Sequence, residues 1–193
     1  MKKIKFLSLA FIVVLLACGA NTESDKETEK EDKCPNSDID NFDSFLGIKY
    51  GTNELKLKGI LGEFTGGEYT VDSSAFIYYF KRVENAPISI WVNGTSGNVE
   101  TIFMEILGYE DVFEQDLADA VKEFKIHECD SRFFGMKYDE LVKTMGKPTT
   151  EETLEEGVKS LTYDSKDFKT AVNFKIYPSQ ANMCSSVSVN WFY

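Results

Sequence analysis

Phe134-Gly135-Met136-Lys137-Tyr138-Asp139-Glu140-Leu141-Val142-Lys143-Thr144-Met145-Gly146-Lys147-Pro148 sets the frame for the rest of the chain. Leu141, Val142 and Met145 fall at i, i+1 and i+4, one face of a short amphipathic helix. Gly135 stands before it. Gly146 can end it in a left-handed conformation, and Pro148 blocks its return. Residues 51–62 carry the same punctuation. Gly51, Leu57, Leu61 and Gly62 map onto Gly135, Leu141, Met145 and Gly146 at a constant offset of 84 residues.

The offset runs on without a gap. It pairs Ile77 with Leu161, Tyr79 with Tyr163, and Ile88, Ile90 and Val92 with Val172, Phe174 and Ile176. It also pairs Asn98 with Asn182, Val99 with Met183 and Phe103 with Val187. A shared period-2 pattern and two glycine stops in one register indicate an internal duplication.

Composition agrees with a sheet-rich fold. The chain has 193 residues, with fifteen Phe and nine Tyr, and 42% of its residues are hydrophobic. Aromatic and β-branched residues fit a pleated surface. The net charge is −11. Setting aside Lys2, Lys3 and Lys5 leaves 18 basic against 32 acidic residues, a net charge of −14. Such a surface repels a phosphate backbone, so a nucleic-acid partner is not expected.

The N-terminus reads as a processing segment over residues 1–17. Lys2, Lys3 and Lys5 form its positive region, and residues 6–16 its apolar region, too short for an ordinary spanning helix. It ends in Leu15-Leu16-Ala17-Cys18-Gly19, which resembles a bacterial lipobox. That resemblance implies lipidation of Cys18 and cleavage before it. Several acyl chains then hold the protein to a membrane outside the cytoplasm. Gly19 after the cysteine resembles the outer-membrane sorting pattern. Residues 18–36 read as an acidic tether with almost nothing to bury.

Beyond the tether, helices are expected at residues 38–46, 51–62, 110–126 and 135–146. Strands are expected at 76–82, 88–93, 99–107, 159–164, 169–177 and 183–193, with a weaker one at 68–71. Asn93-Gly94-Thr95-Ser96-Gly97-Asn98 is a hairpin signal. The expected fold class is α+β: two tandem, two-layer helix-helix-antiparallel-sheet repeats at residues 37–108 and 109–193.

Gly135-Met136-x-x-x-Glu140-Leu141-x-x-x-Met145-Gly146-x-Pro148, followed by a meander, resembles the BamE-like (SmpA/OmlA) lipoprotein domain. The same unit in tandem resembles the β-lactamase-inhibitor-protein fold. The resemblance covers roughly residues 38–193. In the first copy Phe64 replaces the proline and Lys56 stands where Glu140 does. The resemblance implies protein binding outside the cytoplasm, without catalysis. Two alternatives stand beside it: a structural envelope-assembly component without a discrete ligand, and, on the fold resemblance alone, an inhibitor or immunity protein against a secreted enzyme.

The chemistry-bearing residues give no enzyme signature. His127 is the one histidine. With Cys129 and Asp130 it offers ligand types but no second half-site, so no metal is expected. No nucleophile elbow, phosphate loop or cofactor motif is present, and no small-molecule substrate is implied. Glu151-Glu152 and Glu155-Glu156 read as a solvated loop. An oxidising compartment allows one disulfide among Cys34, Cys129 and Cys184. Cys129 with Cys184 is the preferred pair because both lie in the second copy. Cys34 with Cys129 is the alternative, as is a fully reduced chain.

Ile88, Ile90 and Val92 define the expected core face, so alternate residues should point away from it. The ungapped offset then places Phe76, Tyr78, Phe80, Trp91, Ile102 and Met104 on the outer face of the first sheet. Their counterparts in the second copy are Ser160, Thr162, Asp164, Lys175, Ser186 and Ser188. An apolar outer face marks a protein-binding surface unless another part of the chain buries it.

Overall fold

Eight strands pair into one antiparallel sheet, and the helices pack on one side of it. The structure is a computed structural model. It describes Cys34 and residues 38–80, 85–93, 95–108 and 111–193. Cys18, the signal segment and the rest of the tether lie outside these residues.

A 3-10 turn at Ile39–Asn41 leads into a small hairpin, β1 (Ser44–Phe45) and β2 (Ile48–Lys49). Helix α1 (Glu54–Leu61) follows, then β3 (Gly66–Tyr69), β4 (Ala75–Phe80), β5 (Ile88–Asn93) and β6 (Val99–Glu105). The second half has α2 (Phe113–Phe124), α3 (Glu128–Ser131) and α4 (Tyr138–Met145). Strands β7 (Thr150–Thr153), β8 (Lys159–Asp164), β9 (Thr170–Tyr177) and β10 (Met183–Trp191) complete it. The sheet order is β3-β4-β5-β6-β10-β9-β8-β7. Each meander therefore starts at an edge and ends in the middle, where β6 pairs with β10. The fold is mixed α+β with a large antiparallel sheet and few helices.

One hydrophobic core joins the two halves. From the sheet it takes the cross-strand row Phe80, Ile88, Met104, Val187, Phe174 and Leu161. From the other side it takes Leu57 and Leu61 of α1, Phe113, Ala120 and Phe124 of α2, and Leu141 of α4. Phe133, after α3, is fully buried against Phe42 and Phe174.

The two glycine stops behave alike. Gly62 has φ 84° and ψ −157°, and Gly146 has φ 84° and ψ −164°. Their N–H groups donate to the Lys58 and Val142 carbonyls at 2.8 and 2.9 Å. This region of backbone space is essentially closed to residues with a Cβ. Nothing lies within 4 Å of a Cβ added at Gly146. The cost of a substitution there is therefore conformational. Gly146→Ala is expected to destabilise the protein by about 1–3 kcal/mol, read from chemical denaturation. An unchanged midpoint would mean that the helix end relaxes into another conformation.

Residues 38–46 do not form the expected helix. Phe42, Phe45 and Leu46 are nevertheless buried. The chain instead turns at Leu46 and Gly47, both at positive φ (54° and 74°). The buried Asp130 carboxylate accepts the Leu46 N–H at 2.8 Å, which supports a left-handed leucine. The acidic stretch 150–153 is not a loop either. It forms β7, an edge strand whose charged side chains deter further pairing.

The disulfide joins Cys34 to Cys129, with Cα atoms 5.3 Å apart. The preferred pair, Cys129 with Cys184, is not formed. Cys184 is a free thiol on β10, fully buried in the core. Burial pushes its pKa up to about 12. Its backbone, not its thiol, faces the α3–α4 linker: it accepts from Gly135 N–H and donates to Met136 C=O, both at 2.8 Å.

Candidate functional site: the open face of the sheet

Directly opposed residues in an antiparallel pair share a face, so the register fixes which side chains leave the core. Tyr78 lies opposite Ile90 and Phe80 opposite Ile88. Ile102 lies opposite Ile90 and Met104 opposite Ile88. Phe76, Tyr78, Phe80, Ile102 and Met104 therefore stand on the core face, against expectation. Phe80, Ile102 and Met104 are at most 1% exposed. Phe76 and Tyr78 are half-buried in an aromatic ladder with Tyr69 and Phe64, and the Tyr78 hydroxyl donates to Glu54 of α1 at 3.0 Å. Trp91 alone of the six sits on the open face, where it is 41% exposed.

The reason is a one-residue slip between the halves. Phe174 lies 84 residues after Ile90, but its partner Leu161 lies only 83 after Tyr78. On the other side Val187, also opposite Phe174, lies 85 after Ile102. A slip of one residue exchanges the faces of a whole strand. Strand β4, Ala-Phe-Ile-Tyr-Tyr-Phe, is apolar on both sides, so its own pattern gives no warning.

Two rows of opposed residues cross the open face. The first reads Glu68, Ile77, Trp91, Thr101, Asn190, Ala171 and Asp164. The second reads Tyr79, Ser89, Phe103, Ser188, Asn173, Thr162 and Thr150. Apolar side chains thus concentrate over β4, β5 and β6, and Ser, Thr and Asn cover β8, β9 and β10. Sequence reasoning missed Ile77, Tyr79 and Phe103. The clean alternation of β5 placed Ser89 and Trp91 outward, and propagating that phase through the hairpin register would have found them.

The face is internally ordered. Thr101 Oγ1 donates to Asn190 Oδ1 at 2.9 Å. Asn173 Nδ2 donates to Ser160 Oγ and Thr162 Oγ1 at 2.8 and 2.9 Å. The Tyr79 hydroxyl donates to Glu68, and this bond raises the Tyr79 pKa. The Tyr177 hydroxyl donates to Glu105 at 2.6 Å; burial, then that carboxylate, raises its pKa. A depression of about 420 Å³ lies between Tyr79, Trp91, Phe103 and Asn190, with Ile77 in its wall. A second, of about 610 Å³, shares Ile77 and Trp91 and runs to the β3–β4 turn. In that turn the Asp72 carboxylate accepts from the Ser74 N–H and hydroxyl and from the Thr70 hydroxyl. These bonds lower its pKa to about 2.

His127 lies elsewhere, before α3. Its Nδ1 accepts the Cys129 N–H at 3.2 Å, a helix cap next to the disulfide. Among the described residues no helix is long and apolar enough to cross a membrane.

No protein-family profile and no curated protein sequence matches the chain. Among solved structures it is similar to a DUF4309 family protein (YjgB) from Bacillus subtilis, at 12% identity and a TM-score of 0.44. That match covers 73% of this chain and 79% of the other. It is similar to a cysteine-rich secretory protein from Staphylococcus aureus, at 14% identity and a TM-score of 0.42, over 73% of this chain. It is also similar to an extracellular protein containing a SCP domain from Bacillus anthracis, at 12% identity and a TM-score of 0.40, over 72% of this chain. The chain spans less than half the length of these last two, 44% and 43%.

Proposed function

We propose that this chain is a lipid-anchored, extracytoplasmic protein that binds another protein through the open face of its sheet, without catalysis. The observation that carries the reading is the exposed aromatic patch on β4, β5 and β6. Trp91 and Tyr79 are 41% and 36% exposed there, on rigid paired strands, with Ser, Thr and Asn side chains on the side of β10 and the Glu68 carboxylate on the side of β3. Rigid aromatic anchors supply much of the energy in protein interfaces and lose little entropy on docking. The anchor is Cys18, at the end of the apolar segment. Residues 37–108 and 109–193 are two tandem units of BamE-like or inhibitor-like type. The matching glycine stops and the two meanders joined at β6 and β10 support that division.

Trp91→Ala tests the reading. The melt of the variant is expected to stay within about 1 kcal/mol of the parent, because much of the indole already faces solvent. Cross-linking from a photoreactive residue at position 101, in native membranes, should trap a partner protein. Trp91→Ala should lower that yield about tenfold or more. A strong cross-link indifferent to Trp91 would refute this face as the docking surface.

A further inference from the structure

Charge on the open face is not spread evenly. The first cross-strand row begins with Glu68 on β3 and ends with Asp164 on β8. Between these two carboxylates stand only Ile77, Trp91, Thr101, Asn190 and Ala171. Six strand spacings separate them, roughly 29 Å. A third row runs from Glu105 through Ser186, Lys175 and Ser160 to Glu152 on the edge strand β7. Asp72 adds a carboxylate beside the second depression. Among the described residues, this face therefore sets carboxylates around its apolar rows, with Glu68 and Asp72 towards one edge, Asp164 and Glu152 towards the other and Glu105 beyond Phe103 on the central strand β6, against one lysine, Lys175.

Resting on the docking reading above, we propose that the partner is a protein whose contact surface is basic at its margins and apolar at its centre. Complementary potentials of this kind steer encounter and reject wrong partners. The same pattern argues against a second copy of this chain. Two such faces would bring acidic margin onto acidic margin, in a chain of net charge −11. Asp72 strengthens the case, because three local hydrogen bonds keep it ionised well below neutral pH.

The probe is a displayed library of random peptides, selected on the intact chain in detergent without any depletion on the variants. Enriched peptides are expected to combine aromatic or aliphatic residues with Lys and Arg. Their binding should fall about tenfold or more in Trp91→Ala. It should fall several-fold in Glu68→Lys and in Asp164→Lys, and weaken as salt rises. Peptides that depend on Trp91 but are neutral or acidic would overturn the basic-partner inference and leave the docking reading standing. Peptides indifferent to Trp91, or no enrichment at all, would overturn both. A dimer of the chain alone, abolished by Trp91→Ala, would identify a second copy as the occupant and also overturn the inference.

Discussion

Phe80→Ala is expected to cost about 3–5 kcal/mol, the largest loss predicted for any single substitution considered. Phe80 is 1% exposed and lies opposite Ile88, with its ring edge-on to Phe64 at 6.4 Å. Truncation removes a whole buried ring and leaves a cavity in the core beside Phe64. A domain of this size should melt roughly 6–20 °C lower. Trp91→Ala, on the opposite face of the same sheet, should move the melt little. The pair is diagnostic because the ungapped offset placed both residues on one face. If Phe80→Ala were neutral and Trp91→Ala strongly destabilising, β4 and β5 would have the opposite facing, and the open-face site would fall with it.

That reversal shows what the residues alone could and could not carry. Strand β5 alternates apolar and polar, so its limits and its facing were both readable from Ile88 to Asn93. Strand β8 was readable for the same reason, and the stops at Gly62 and Gly146 because few residues other than glycine suit that backbone. Strand β4 was readable as a strand but not as a facing, since six consecutive apolar or aromatic residues satisfy either face. The hairpin at residues 44–49 was misread because its turn, Leu46-Gly47, has no usual turn residue at its first position. What supports it is Asp130, 84 positions away in sequence. Strand β7 was invisible: Thr-Glu-Glu-Thr has no apolar period, and its pairing comes from the edge of β8. The candidate site inherited these limits. Trp91 came through because its own strand alternates, whereas Ile77, Tyr79 and Phe103 depend on a register set by loops of unequal length.

Removing the Cys34–Cys129 bridge should cost about 2–5 kcal/mol, measured as the double serine variant against the oxidised parent. The bridge spans 95 residues. Closing a loop of that size removes much of the freedom of the unfolded chain, which puts the expected loss near the top of the usual range. The bridge also ties the segment before β1 to α3, where the Cys129 N–H is already held by His127 and Asp130 holds Leu46. Loss of the bridge should therefore loosen β1, β2 and α3 first, visible as faster amide exchange there than in β5 or β9. Peptide mapping without reductant should recover residues 34 and 129 on one cross-linked fragment. Cys184 should resist alkylation until the protein is unfolded, since its thiol is enclosed and its pKa is raised to about 12. A double serine variant that melts with the parent would mean that the folded chain already restrains Cys34 without the bond. Rapid native alkylation of Cys184 would contradict its burial in the core.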